Sequence, residues 1–224
     1  MKLFIDTASA KEIKEMLAWK IFSGVTTNQK IFLAEAGVKF EDRVKDILDL
    51  VKGLPLSIEL TNTAGSIDDM INEAQCYAKW GGNVVIKVPM FGDGKGVQVA
   101  SALRELRIKT NITCLMDAAQ VLLACEAGGT YASLFFNRIR DFGADAVKTV
   151  IESRKLIDAC GFATEIIAGS IRKPEDVVEA ATAGAHIVTV TPKVLAQMPL
   201  HPKTEETIKE FDKAWIDFKK ACPP

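Results

Sequence analysis

Short runs of β-branched and aromatic residues alternate along the chain with longer stretches in which apolar positions recur every three or four residues. The first pattern predicts strands at 3–6 (LFID), 23–27 (SGVTT), 56–60 (LSIEL), 83–88 (NVVIKV), 110–115 (TNITCL), 131–136 (YASLFF), 164–170 (TEIIAGS) and 186–190 (HIVTV). The second predicts helices at 9–19, 40–51, 66–80, 96–106, 117–127, 144–160 and 173–183. Ser9 reads as the N-cap of the first helix, and Pro174 fits the first turn of the last. Gly24, Gly53, Gly81, Gly161 and Gly184 mark returns to strand.

Strand–helix units with short connections imply parallel strands joined by right-handed crossovers. The eight strand candidates most simply close into a single (β/α)8 TIM barrel spanning 1–224. Such barrels typically need about 250 residues, so the loops here are short. An open doubly wound sheet is the alternative. It fits less well, because DTASA after the first strand contains no glycine for a phosphate-binding turn. Beyond the barrel, KVLAQM (193–198) predicts a short helix, Pro199 and Pro202 bracket a turn, and 203–221 forms an additional C-terminal helix. Ile208, Phe211, Trp215 and Phe218 lie on one stripe of that helix, which must cover either the barrel bottom or a neighbouring subunit.

Composition narrows the partners. The chain of 224 residues is 48% hydrophobic and carries 28 basic and 29 acidic residues, a net charge of −1. Such a balance suits neither nucleic acid nor a membrane surface. No apolar run is long enough to span a bilayer, and Asp6 interrupts the N-terminus too early for a secretion signal. Cys76, Cys114, Cys125, Cys160 and Cys222 are scattered without a C-x-x-C, which fits a reducing cytoplasm. Cys114, Cys125 and Cys160 sit among apolar neighbours and read as core residues. His186 and His201 lack metal-ligand spacing, so no metal site is expected.

Strands of such a barrel are buried on both faces, and a polar residue within them costs free energy unless it is paired or functional. Asp6, Thr26, Thr27, Glu59, Lys87, Asn111, Thr113, Ser133, Ser170, Thr189 and Thr191 break the apolar runs, mostly near strand C-termini. That end of the barrel carries the active site in barrel enzymes. Asn111 and Thr113 are two apart, as are Ser170 and Arg172, so each pair shares a face. Structural readings stand beside these. Asp6 serves equally as a helix cap, Glu59 as the partner of a surface lysine, Asn28 as a turn former, and Arg138 and Arg172 as solvated loop residues. GDGKG (92–96) lacks phosphate-loop spacing and reads as a flexible turn.

Lys87 is the most informative of these positions. A lysine at a strand end can extend its amine to solvent. Inside the barrel, desolvation disfavours the ammonium, and a neutral amine attacks carbonyl carbon. Lys87 near two carboxylates therefore reads as a Schiff-base former.

FIDTA (4–8), GVTTN (24–28), IKVP (86–89), TNIT (110–113), SLFFNR (133–138), AGSIR (168–172) and HPKTEETIKEFDKAW (201–215) together resemble the small single-barrel transaldolases and fructose-6-phosphate aldolases. The resemblance runs nearly end to end. It implies a cofactor-independent Schiff-base enzyme acting on phosphorylated sugars, without metal. Lys87 matches the lysine that attacks the ketose C2 carbonyl, and Asp6 the acid/base at the C4 hydroxyl. Glu59 with Thr113 matches the pair that positions a catalytic water. Asn28, Asn111 and Ser133 match groups holding the donor hydroxyls, with Thr26 and Phe135 beside them. Arg138, Ser170 and Arg172 match the phosphate clamp. Glu59 and Phe135 resemble the transaldolase choices at their positions, while Asn137 resembles the aldolase choice. The resemblance thus implies a transaldolase of the pentose phosphate pathway, with a fructose-6-phosphate aldolase as the alternative. It also implies a homo-oligomer, a decamer of two pentamers. One motif departs: the family usually reads TTNPS after strand two, whereas residues 26–30 here are TTNQK. Lys30 is then either a solvated lysine or an extra anion contact.

Overall fold

The computed structural model describes residues 1–35 and 37–222; Ala36, Pro223 and Pro224, within the expected 1–224 domain, lie outside the described residues. Eight strands run β1 (Lys2–Asp6), β2 (Phe22–Thr26), β3 (Leu56–Glu59), β4 (Val84–Pro89), β5 (Thr110–Leu115), β6 (Tyr131–Phe135), β7 (Glu165–Gly169) and β8 (Ile187–Val190). Each pairs in parallel with the next, and β8 pairs with β1, closing the barrel. The helices between them are α1 (Ala10–Leu17), α2 (Gln29–Leu33), α3 (Phe40–Val51), α4 (Ile67–Ala78), α5 (Lys95–Glu105), α6 (Ala118–Glu126), α7 (Phe136–Asp141), α8 (Ala146–Cys160) and α9 (Pro174–Thr182). After β8 come α10 (Pro192–Leu195) and α11 (Pro202–Ala221). Among the described residues, no helix is long and apolar enough to cross a membrane.

The strand period of two explains both layers of the core. Ile5, Val25, Ile58, Ile86, Ile112 and Ile166 pack outward against helix residues such as Ile13, Ile47, Met70 and Leu103. Phe4, Val85, Tyr131, Ile167 and Ile187 form a separate cluster that plugs the barrel interior. Phe4 meets Tyr131 edge to face, with ring centroids 5.9 Å apart. Gly24 makes room for this plug, since a Cβ there would lie 2.5 Å from the Phe4 ring. Two residues further along the same strands, the sequence changes to Asp6, Thr26, Lys87, Ser133, Gly169 and Thr189, and these line an open cavity. The apolar plug is thus the floor, and the polar layer above it is the mouth.

Several expected features are corrected. Phe136 does not extend the sixth strand; it opens α7 and is fully buried. Helices α2 and α7 were not anticipated, and each is too short to display a helical period. His186 precedes β8, and its Nδ1 accepts a hydrogen bond from the Ile166 amide at 2.9 Å. Pro202 begins α11 rather than closing a turn before it. Cys125 is buried and Cys114 half-buried, but Cys160 is exposed at the end of α8. Ile157 faces inward three residues earlier on the helix, whereas Ala159 and Cys160 do not. Helix α11 buries none of its residues, so its apolar stripe does not cover the barrel bottom.

Candidate active site

β3 and β4 pair residue for residue, and the register sets Glu59 beside Lys87. Lys87 is 5% exposed, with Nζ 3.1 Å from Glu59 Oε2. The amine also donates to the Thr27 carbonyl at 3.1 Å and lies 6.0 Å from the Phe135 ring. The amine is thus buried with a carboxylate partner beside it. Glu59 Oε2 lies within ion-pair reach of Nζ, yet no well-aligned hydrogen-bond donor meets it. Thr113 Oγ1 is likewise buried and unpartnered. A buried hydroxyl left without a partner costs roughly 1–3 kcal/mol, so Thr113 Oγ1 stands out in the strand layer.

Asp6 ends β1 level with Thr26 on β2. Thr26 Oγ1 donates to Asp6 Oδ1 at 2.7 Å and lies 2.6 Å from the Thr189 hydroxyl. Asp6 therefore does not cap α1; Ser9 does, accepting from the Glu12 amide. Burial pushes the Asp6 carboxyl above its usual range, against the opposing pull of the Lys87 charge and the Thr26 hydrogen bond. On the far wall, Ser133 Oγ donates to Asn111 Oδ1 at 2.7 Å, and Asn111 Nδ2 donates to Ser57 Oγ at 3.2 Å. Ser57 belongs to this chain of hydrogen bonds and was not singled out from sequence, although it stands two residues before Glu59 on the same strand face.

The mouth is a cavity of about 250 Å³ lined by Asp6, Thr26, Asn28, Lys30, Lys87, Ser133, Phe135, Arg138 and Ser170, among others. The Arg138 guanidinium sits 5.0 Å over the Phe135 ring. Asn28 lines the cavity and also caps α2 by accepting from the Ile31 amide at 3.0 Å. Gln29 donates to the Leu60 carbonyl at 2.7 Å, tying α2 to the end of β3. Lys30 is exposed on the cavity wall. Glu59 faces a neighbouring cavity shared with Asn28 and Gln29.

Arg172 lies apart from the cavity residues. Its guanidinium pairs with Asp141, with one contact at 2.8 Å, and it does not line the mouth. Among the described residues, no three His, Cys, Asp or Glu side chains converge as a metal site. A buried amine flanked by two carboxylates, with hydroxyls on one wall and an arginine on the rim, suits carbonyl condensation followed by proton transfer on a small anionic sugar.

The chain matches the Transaldolase/Fructose-6-phosphate aldolase family over residues 3–222. It belongs to that family. A probable transaldolase of Streptococcus pyogenes serotype M2 is 41% identical over 220 residues, covering 98% of this chain and all of that one. A probable transaldolase of Symbiobacterium thermophilum is 40% identical over 215 residues, covering 96% and 97% of the two chains. Solved structures add the fold alone. A thiamine phosphate pyrophosphorylase from Pyrococcus furiosus aligns with TM-score 0.61 at 9% identity, over 88% of this chain and 93% of that one. A mandelate oxidase mutant with an FMN adduct aligns with TM-score 0.58 at 14% identity; the chain spans 64% of its length. Membership in the transaldolase/aldolase family agrees with a barrel whose polar residues gather at one end.

Proposed function

We propose that the protein is a transaldolase that moves a dihydroxyacetone unit from a ketose phosphate to an aldose phosphate through a Schiff base on Lys87. The observation that carries this reading is the buried Lys87 amine with Glu59 at 3.1 Å, opening into a cavity that also holds Asp6. In this scheme Lys87 Nζ adds to the ketose C2 carbonyl, and the resulting carbinolamine loses water to give an iminium. Asp6 takes the C4 hydroxyl proton, the C3–C4 bond breaks, and its electron pair flows into the iminium to leave an enamine. The aldose phosphate departs. The enamine carbon then attacks an incoming aldehyde, Asp6 returns its proton to the new hydroxyl, and water releases the new ketose phosphate. Glu59 Oε2 and Thr113 Oγ1, both buried without hydrogen-bond partners, suit the water that enters and leaves with the imine. Asn28, Asn111 and Ser133 hold the donor hydroxyls, with Thr26 orienting Asp6 and Phe135 walling the site. Arg138 and Ser170 receive the phosphate, since a planar guanidinium grips two phosphate oxygens. Arg172 joins them only by leaving Asp141.

Transfer is favoured over free aldol cleavage by the carboxylate at position 59, which handles the imine protons directly. Asn137, the residue that resembled the aldolases, does not line the cavity; its amide donates to Asp176 and to the Ser170 carbonyl. Turnover of fructose 6-phosphate with and without an aldose phosphate acceptor tests the choice. Transfer requires acceptor for sustained turnover, and equal rates without it would identify an aldolase. We propose further that the apolar stripe of α11 packs on a second copy of the chain, in keeping with the ring assembly that the resemblance implies.

A further inference from the structure

Asp176 lies on α9, away from the cavity, and is completely buried. A carboxylate in such a place is a poor way to stabilise a fold, because apolar packing would serve as well. Its partners suggest another reason for its presence. Oδ2 accepts from Asn137 Nδ2 at 2.6 Å, the Arg172 amide at 3.0 Å and the Lys173 amide at 3.1 Å, and Oδ1 accepts from Arg140 Nη1 at 2.9 Å. Asn137 and Arg140 bracket Arg138 on α7, so that short helix is pinned on both sides of the arginine that reaches the cavity. The loop after β7 is held by the same carboxylate at 172 and 173. Asn137 Nδ2 also donates to the Ser170 carbonyl at 2.9 Å. Ser170 has φ +59°, a left-handed conformation that residues other than glycine seldom hold without outside support. Arg138 and Ser170, both lining the cavity, thus stand on separate segments tied to one buried charge.

We propose that Asp176 is a positioning residue that presets the anion-binding end of the cavity, for a phosphate monoester, by locking α7 to the loop after β7. The proposal rests on the phosphorylated-sugar reading of the site, and it concerns binding rather than imine chemistry. Without the lock, Arg138 and Ser170 must be ordered by the ligand, which weakens binding while leaving Lys87 and Asp6 in place.

Asp176→Asn and Asn137→Ala are compared with the wild type by three readouts: calorimetric titration with inorganic phosphate, KM and kcat for fructose 6-phosphate with acceptor present, and borohydride capture of free dihydroxyacetone on Lys87. The expected result is a loss of about tenfold in phosphate affinity and a similar rise in KM, with kcat and capture within about threefold. Phosphate affinity within about threefold of wild type in a folded variant, or a fall in kcat at constant KM, overturns the proposal. If Asp176→Asn does not fold, Asn137→Ala decides, since it leaves Asp176 its other three donors. A wild type that binds no phosphate removes the anion end and the proposal with it. Failure of capture in the wild type, with phosphate binding intact, would count against the Schiff base and leave this inference standing.

Discussion

At the scale of the residue, Lys87 and Glu59 stand side by side because β3 and β4 pair in register, while Asp6 reaches the same cavity as Lys87 from β1. Two carboxylates in different surroundings around one amine can take different parts in proton transfer. The raised Asp6 pKa has a consequence of definite sign. In the proposed scheme Asp6 must be unprotonated to take the C4 hydroxyl proton, and burial makes it release its own proton at higher pH than an ordinary carboxyl. The rise of kcat/KM with pH is therefore expected above the usual carboxylate range, and Asp6→Asn should abolish that limb along with most activity. A limb in the ordinary range would contradict the assignment. Lys30 makes a separate prediction, since it lines the mouth at the position where the family resemblance leads one to expect serine. Lys30→Ser should leave the chemistry intact and shift the ratio of kcat/KM for sedoheptulose 7-phosphate over fructose 6-phosphate by about threefold or more. An unchanged ratio would make it an ordinary solvated lysine.

At the scale of the element, the barrel floor depends on Gly24 on β2. Any side chain there meets the Phe4 ring, which the edge of Tyr131 already confines. Gly24→Ala should cost roughly 1–3 kcal/mol by overpacking, read as a lower urea midpoint at unchanged slope. Unaltered stability would mean that the plug yields more easily than its packing implies. The strands were legible from sequence because a buried parallel strand is short, apolar and rich in β-branched residues, and each of the eight expected runs overlaps one. Helices α2 and α7 were not, because five or six residues complete too little of a turn pattern to stand out from loops. Phe136 went to the strand because its apolar side chain continues the run of Tyr131–Phe135, and nothing local marks the turn at Phe135. The polar layer was legible as a set, since polar residues interrupt apolar strands. The pairing of Glu59 with Lys87 was not, because inter-strand register depends on closure of the whole barrel. The tie between Arg172 and Asp141 joins a loop to a helix that periodicity did not reveal.

At the scale of the whole molecule, α11 stands apart from the barrel core. Ile208, Phe211, Trp215 and Phe218 are each about half or more exposed, and Trp215 stacks on Phe218. Twenty residues of helix with an uncovered aromatic stripe fit the proposed packing on a second copy. Light scattering should then report an assembly larger than 24.4 kDa, and Phe211→Glu with Trp215→Glu should reduce it to smaller species while the barrel stays folded. A wild type that elutes as a monomer would defeat this proposal. The sequence revealed the stripe but not what covers it, since amphipathicity marks a face suited to burial without showing against what. The proposed catalytic assignments follow from the chemistry of Lys87. Borohydride reduction in the presence of fructose 6-phosphate, followed by peptide mass spectrometry, tests that chemistry most directly. The account predicts a reduced dihydroxyacetone adduct on Lys87 that disappears in Lys87→Met; an active enzyme that yields no adduct, or an adduct on another lysine, would contradict it.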